Sequence, residues 1–140
     1  MAAEFTATDR EFLTRTRVGY LTTTPAQPST FPSPRPVWFE LTDAGTIELF
    51  SLASSPKVRS VARVPRASLV AGNNMGEREY WVAVVGKTTV VAEGAVELAA
   101  RLGARYWDLS DPERKATLQS MLDGELVKIV IEPETVKRYG

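Results

Sequence analysis

Residues 36–52 read Pro36-Val37-Trp38-Phe39-Glu40-Leu41, then Thr42-Asp43-Ala44-Gly45, then Thr46-Ile47-Glu48-Leu49-Phe50-Ser51-Leu52. Two runs rich in β-branched and aromatic residues flank an Asp-Ala-Gly turn, and that is the pattern of a β-hairpin. Upstream, Val18 to Thr24 reads as a strand with Val18, Tyr20 and Thr22 on one face and Leu21 and Thr23 on the other. Pro25, Pro28, Pro32, Pro34 and Pro36 then fall within twelve residues. Each lacks an N–H donor, so this segment is a loop leading into an edge or bulged strand, not a central one.

Downstream, Ser55 is a suitable N-cap and Pro56 is pre-set for the first helical position, so a helix begins here. Val58, Val61 and Ala62 are spaced to pack on a sheet, leaving Lys57, Arg59 and Arg63 for solvent or ligand. Ala67 to Ala71 is a strand, Asn73 to Gly76 a turn or a lid, and Glu79 to Glu93 a long β-stretch bulged near Gly86. Thr8 with Glu11 has the form of a capping box opening a helix to about Arg15, and Ser110-Asp111-Pro112-Glu113 has the same form opening one to about Leu122. Val96 to Trp107 lies on helical spacing. Leu126 to Ile131 and Thr135 to Tyr139 are extended segments on either side of Glu132-Pro133. Six or seven strands against about four short helices predict a mainly β fold, a small antiparallel barrel with helices at its ends, as one domain over residues 1–140.

Composition narrows the chemistry. The 140 residues include no Cys and no His, and 17 basic residues balance 17 acidic ones. Thiol nucleophiles, Cys- or His-ligated metals and the commonest general base are excluded, so no metal site is expected. Reactivity must come from Lys, Arg, Tyr, Ser, Thr, a carboxylate or a borrowed cofactor. Zero net charge argues against nucleic-acid or membrane partners. With no leader pattern and no long apolar run, the expected location is cytoplasmic.

The zero net charge hides two windows without acids. One holds Arg15, Arg17 and Arg35, the other Lys57, Arg59, Arg63 and Arg66. In the second window the Ser55-Pro56-Lys57 helix start offers free N–H groups, a hydroxyl and a cation, a set that suits a phosphate, with Arg59 or Arg63 extending it along a longer anion. The same residues also read as an ordinarily capped helix with solvated cations.

The order of these pieces resembles the flavin and deazaflavin oxidoreductase superfamily that includes pyridoxamine 5'-phosphate oxidase, the FMN-binding split β-barrels. The resemblance runs over nearly the whole chain, through Phe12-Leu13, Gly19 to Thr23, Pro34 to Phe39, Ser51 to Val61, Ala67 to Val70, and Val85-Gly86 to Glu93-Gly94. It implies a six- to seven-stranded split barrel and a homodimer with cofactors between the protomers. Pro36, Val37 and Trp38 would line the ring, with Ser51 and Leu52 approaching it, Ser55 and Lys57 on the phosphate, Arg59 and Arg63 beyond it, and Lys87 reaching in from the barrel. Without His and the Arg-x-His segment of pyridoxamine 5'-phosphate oxidase, the chain departs from vitamin B6 oxidation. The likeness is greater to the actinobacterial branch that binds coenzyme F420, whose anionic tail would suit a track of cations, with FMN as the alternative. The implied activity is hydride transfer to a small unsaturated molecule, with solvent, Tyr80 or a nearby cation as proton source. A non-catalytic cofactor carrier is the alternative from another class.

Overall fold

The computed structural model describes residues 4–140. Helix α1 (Ala7–Thr14) precedes strands β1 (Gly19–Thr23), β2 (Arg35–Val37), β3 (Glu40–Leu41) and β4 (Ile47–Leu52). Helix α2 (Pro56–Arg63) leads to β5 (Arg66–Gly72) and β6 (Trp81–Val91). Helices α3 (Ala95–Tyr106) and α4 (Pro112–Leu122) then precede β7 (Leu126–Tyr139). The strands form one antiparallel sheet in the order β2-β1-β5-β6-β7-β4-β3.

The first and last strands of that order, β2 and β3, are consecutive in the chain and joined only by Trp38 and Phe39. The sheet must therefore curl until its two ends lie side by side, which gives the split barrel predicted from the sequence. Pro36 to Leu41 is thus not one strand, as expected, but two, because its halves pair on opposite sides of the closure: β2 with β1, β3 with β4. Phe39 turns into the core and presses on Gly19, where a Cβ would sit 2.9 Å from its ring.

Inside the curl, Leu21, Leu49, Leu69, Val82, Val84, Ile129 and Ile131 are buried, alternating along each strand with more open positions. Helix α2 touches β1, β4 and β6 and inserts Val58 and Val61, closing one end of the barrel; Ala62, expected to pack, is exposed. Helix α3 lies outside on β4 and β7, and α4 is held to it by Leu118, which fills the space left by Gly103.

Three local expectations are corrected. The first helix is capped by Thr6 and not Thr8: the Thr6 hydroxyl accepts from the Asp9 N–H at 3.0 Å and Asp9 accepts from the Thr6 N–H at 2.9 Å. Asp9 is fully buried, held by Arg138 (2.8 Å) and the Tyr80 hydroxyl (2.7 Å), and that anchor sets where the helix starts. The cap of α4 is Asp111, which accepts from Glu113 and Arg114, while Ser110 turns back to Asp108. The last two extended segments are a single strand, β7, continuous through Pro133. It passes the expected bulge at Val85/Gly86, where a Cβ on Gly86 would collide with the Glu132 carbonyl.

Candidate functional site

A groove of about 720 Å³ opens beside the barrel closure. Its floor is Phe50, Ser51 and Leu52 of β4 with Leu126 of β7; one wall is Val18, Pro36, Val37 and Trp38, the other Thr117, Ser120 and Met121 of α4, and Ser55 and Lys57 stand at one end. Seven of the ten residues predicted from the sequence are thereby brought together: Pro36, Val37, Trp38, Ser51, Leu52, Ser55 and Lys57. Arg59, Arg63 and Lys87 do not line the groove. Arg59 donates to the Ser54 carbonyl, Arg63 to the Thr24 carbonyl at 3.2 Å, and Lys87 is exposed on β6, opposite Arg66 and Glu132.

The aromatic wall is fixed from α3. Trp38 stacks on Tyr106 (5.3 Å between centroids, 14° between planes) and meets Trp107 edge-on at 4.8 Å. The Tyr106 hydroxyl accepts from the Phe39 N–H at 3.3 Å and donates to the Arg17 carbonyl at 2.7 Å. It thus supplies partners where the closure interrupts backbone pairing. Burial pushes its phenol pKa up, so it stays a neutral donor.

At the other end, the Ser55 hydroxyl is not a side-chain cap for α2, as the sequence suggested; it lies 2.6 Å from the Ser51 hydroxyl. The first-turn N–H groups of α2 are left without a side-chain acceptor. Lys57 reaches Ser51 at 3.5 Å and forms no ion pair among the described residues. Burial lowers its pKa below the ordinary lysine value. A half-buried cation without a counter-ion, two hydroxyls and uncapped amides together make a site for an anion.

Tyr80, expected from the sequence as one of the proton sources, lies outside this groove. It lines a second cleft with Phe12, Arg15, Arg17, Glu77 and Arg78, and its hydroxyl is committed to Asp9. The Asn73 to Gly76 segment is a turn tied to α1's exit through Asn74 and Thr16, not a cover for the groove. Sequence reading missed Val18, Phe50, Leu126 and the α4 wall. The one signal for that wall was the i, i+3, i+4 spacing of Thr117, Ser120 and Met121. Among the described residues, no cluster of acids could hold a metal and no helix is long and apolar enough to cross a membrane.

Residues 5–139 match the family model described as Pyridoxamine 5'-phosphate oxidase. Solved structures with similar folds include a conserved hypothetical protein from Mycobacterium tuberculosis (TM-score 0.70, 23% identity, 99% of this chain and 86% of that one). A protein named F420 reductase aligns with TM-score 0.69 at 20% identity over 91% of this chain and 94% of its own. A FAD-binding protein from Mesorhizobium loti aligns with TM-score 0.63 at 19% identity over 99% and 96%. No curated protein sequence matches the chain.

Proposed function

The chain belongs to the pyridoxamine 5'-phosphate oxidase family, and on that premise we propose that it is an oxidoreductase that binds coenzyme F420 in the groove and reduces a small unsaturated or conjugated organic molecule. The observation that carries this reading is the uncompensated Lys57 ammonium beside Ser51 and Ser55, at the end of a groove otherwise lined by apolar, aromatic and hydroxyl-bearing side chains. That donor set fits a ligand with a flat ring at one end and a phosphate at the other. Among the described residues, no acid lines the groove to repel it.

A bound deazaflavin would supply the hydride chemistry, which no amino-acid side chain provides. The residues of this chain bind and orient. Lys57 and the α2 amides hold the phosphate, with Ser51 and Ser55 turning their hydroxyls to it; Trp38, backed by Tyr106, presents a rigid ring face; Val37, Phe50 and Leu52 keep water from the ring. Lys57 is the one titratable group among the described residues that line the groove, and it stands at the phosphate end, so the product's proton comes from solvent.

Two copies are proposed to associate through the outer sheet face. Val18, Tyr20, Val70, Trp81, Val85 and Tyr139 are exposed there, and Val18 is also part of the groove wall. F420 is favoured over FMN because Arg59 and Arg63, which lie outside the groove on the backbone carbonyls of Ser54 and Thr24, have no carboxylate partner among the described residues and follow Lys57 along α2, where the longer anionic tail would run. Side-by-side titration with F420 and FMN tests the reading. Tighter F420 binding is expected; FMN alone binding identifies the flavin-dependent alternative; binding of neither rejects the cofactor site.

A further inference from the structure

Three side chains at one end of the groove stand in a line. The Lys57 amine is 3.5 Å from the Ser51 hydroxyl, and the Ser51 hydroxyl is 2.6 Å from that of Ser55. Ser51 is buried near the end of β4, whereas Ser55, just before α2, is half-buried and lines the groove. The start of α2 adds two donors. Pro56 has no N–H, and the Arg59 N–H donates to the Ser55 carbonyl at 3.2 Å. That leaves the amides of Lys57 and Val58 without an acceptor among the described residues.

An anion uses these groups as separate donors, but their order also suits proton transfer. A serine hydroxyl is a weak nucleophile until a base takes its proton, and lysine serves as that base where its neutral form is favoured. Burial lowers the Lys57 pKa, and no acid faces the amine to hold the proton on it. The residues that β7 and α4 give to the groove are Leu126, Thr117, Ser120 and Met121, none of them charged. On the strands that pack against α2, β1 has no charged residue, Glu48 of β4 is paired with Lys128, and Lys87 of β6 is exposed. On α2 itself, Arg59 and Arg63 are cations, which disfavour a third positive charge beside them.

We propose that this end of the groove is an acyl-transfer site for small uncharged esters, with Ser55 as nucleophile, Ser51 as the proton relay and Lys57 as the base. The Ser55 Oγ bonds to the ester carbonyl carbon while its proton passes to Ser51 and the Ser51 proton to the Lys57 Nζ. The free amides of Lys57 and Val58 are the donors for the carbonyl oxygen as it becomes negative. The carbon–oxygen bond to the leaving alcohol then breaks, and the alcohol takes the proton from Lys57. Water, giving its proton to the same line, attacks the acyl carbon, releases a carboxylic acid and restores Ser55. Val37, Trp38 and Phe50 offer an apolar, aromatic surface to the rest of the ester. The proposal stands on this geometry and goes beyond the oxidoreductase reading. A phosphate at Lys57 would take the same amides and keep the amine charged, so the two uses of the site exclude each other at any one moment.

Two measurements on the wild-type chain test this without any variant. A fluorophosphonate ester should label one residue, Ser55, as located by peptide mass spectrometry; labelling elsewhere, or none, overturns the proposal. Hydrolysis of para-nitrophenyl acetate should rise with pH to a plateau as Lys57 becomes neutral, with a midpoint below the ordinary lysine value. A rate that only follows hydroxide overturns it. Among variants checked for native melting, Ser55→Ala and Lys57→Arg should each lower the rate about 100-fold or more, and Ser51→Ala about 10-fold or more. The arginine keeps the charge but has no proton to give up at these pH values. A wild-type rate in any of the three overturns the line of transfer. Titration of the same preparation with FMN and F420 judges the cofactor reading separately. Labelling of Ser55 without cofactor binding keeps the acyl-transfer site and removes the cofactor; cofactor binding with an inert Ser55, even in cofactor-free protein, does the reverse.

Discussion

The hydroxyls of Ser51 and Ser55 lie 2.6 Å apart, and this bond takes Ser55 away from the helix it precedes. Ser55→Ala should therefore cost little stability, within about 0.5 kcal/mol, while Thr6→Ala and Asp111→Ala, which remove working caps, should each cost about 1 kcal/mol. Denaturant unfolding of the three variants checks the contrast. A loss at Ser55 equal to the other two would mean that its hydroxyl caps α2 in solution.

Lys57→Ala should weaken binding of a phosphate-bearing flavin or deazaflavin by about 1 to 3 kcal/mol, the range for a hydrogen bond to a charged group. Riboflavin, which lacks the phosphate, should bind both forms alike. Equal losses for FMN and riboflavin would place the cation against the ring.

Tyr106→Phe removes the oxygen that serves the Phe39 N–H and the Arg17 carbonyl at the barrel closure. Leaving those two groups unpaired should cost about 1 to 3 kcal/mol. The same change should also loosen the Trp38 ring that Tyr106 backs, read as a shift in tryptophan emission. A variant with native stability would show that water replaces the phenol.

Acid should unfold the chain through two carboxylates. Burial alone would raise the Asp9 pKa, but hydrogen bonds from Arg138, Thr6 and Tyr80 bring it from 3.8 down to about 2; the bonds from Arg17 and Asn74 bring Glu77 from 4.5 to about 2. A folded-state value below the unfolded one means stability that is fully present above about pH 5 and is lost as pH falls toward 2. Thermal unfolding across that window should show the decline, and Asp9→Asn should flatten it at the cost of stability at neutral pH. A flat wild-type profile between pH 5 and 2 would contradict the assignment.

Gly86→Ala should destabilise by about 1 to 3 kcal/mol, because the added methyl would overlap the Glu132 backbone and that strand cannot easily retreat. Gly72→Ala, with nothing within 4 Å, is the control. Similar melting temperatures for the two variants would show that the bulge adjusts.

What could be read from the sequence was local. Lys57 stood out because an acid-free window surrounds it, and Ser55-Pro56 marked the helix start because both act through their immediate neighbours. The break at Trp38-Phe39 is invisible in a continuous apolar run, since it is imposed by which distant strands the two halves join. The bond that diverts Ser55 comes from Ser51, across the end of β4, and spacing rules for helix caps do not contain it. Pro133 reads as a strand breaker, and only the bulge opposite, at Gly86, lets β7 run through it. The α4 wall carries no charge and little apolar character, so nothing in its composition distinguished it from solvent-facing helix.

The two-residue joint between β2 and β3 also governs how copies of the chain can meet. An open sheet offers unpaired amides along its borders, a template on which stray strands add and fibres grow. Here both borders are short, belong to one continuous turn of chain and shield each other. Self-association by strand addition is thereby disfavoured, and copies of this protein can accumulate at high concentration without fusing border to border.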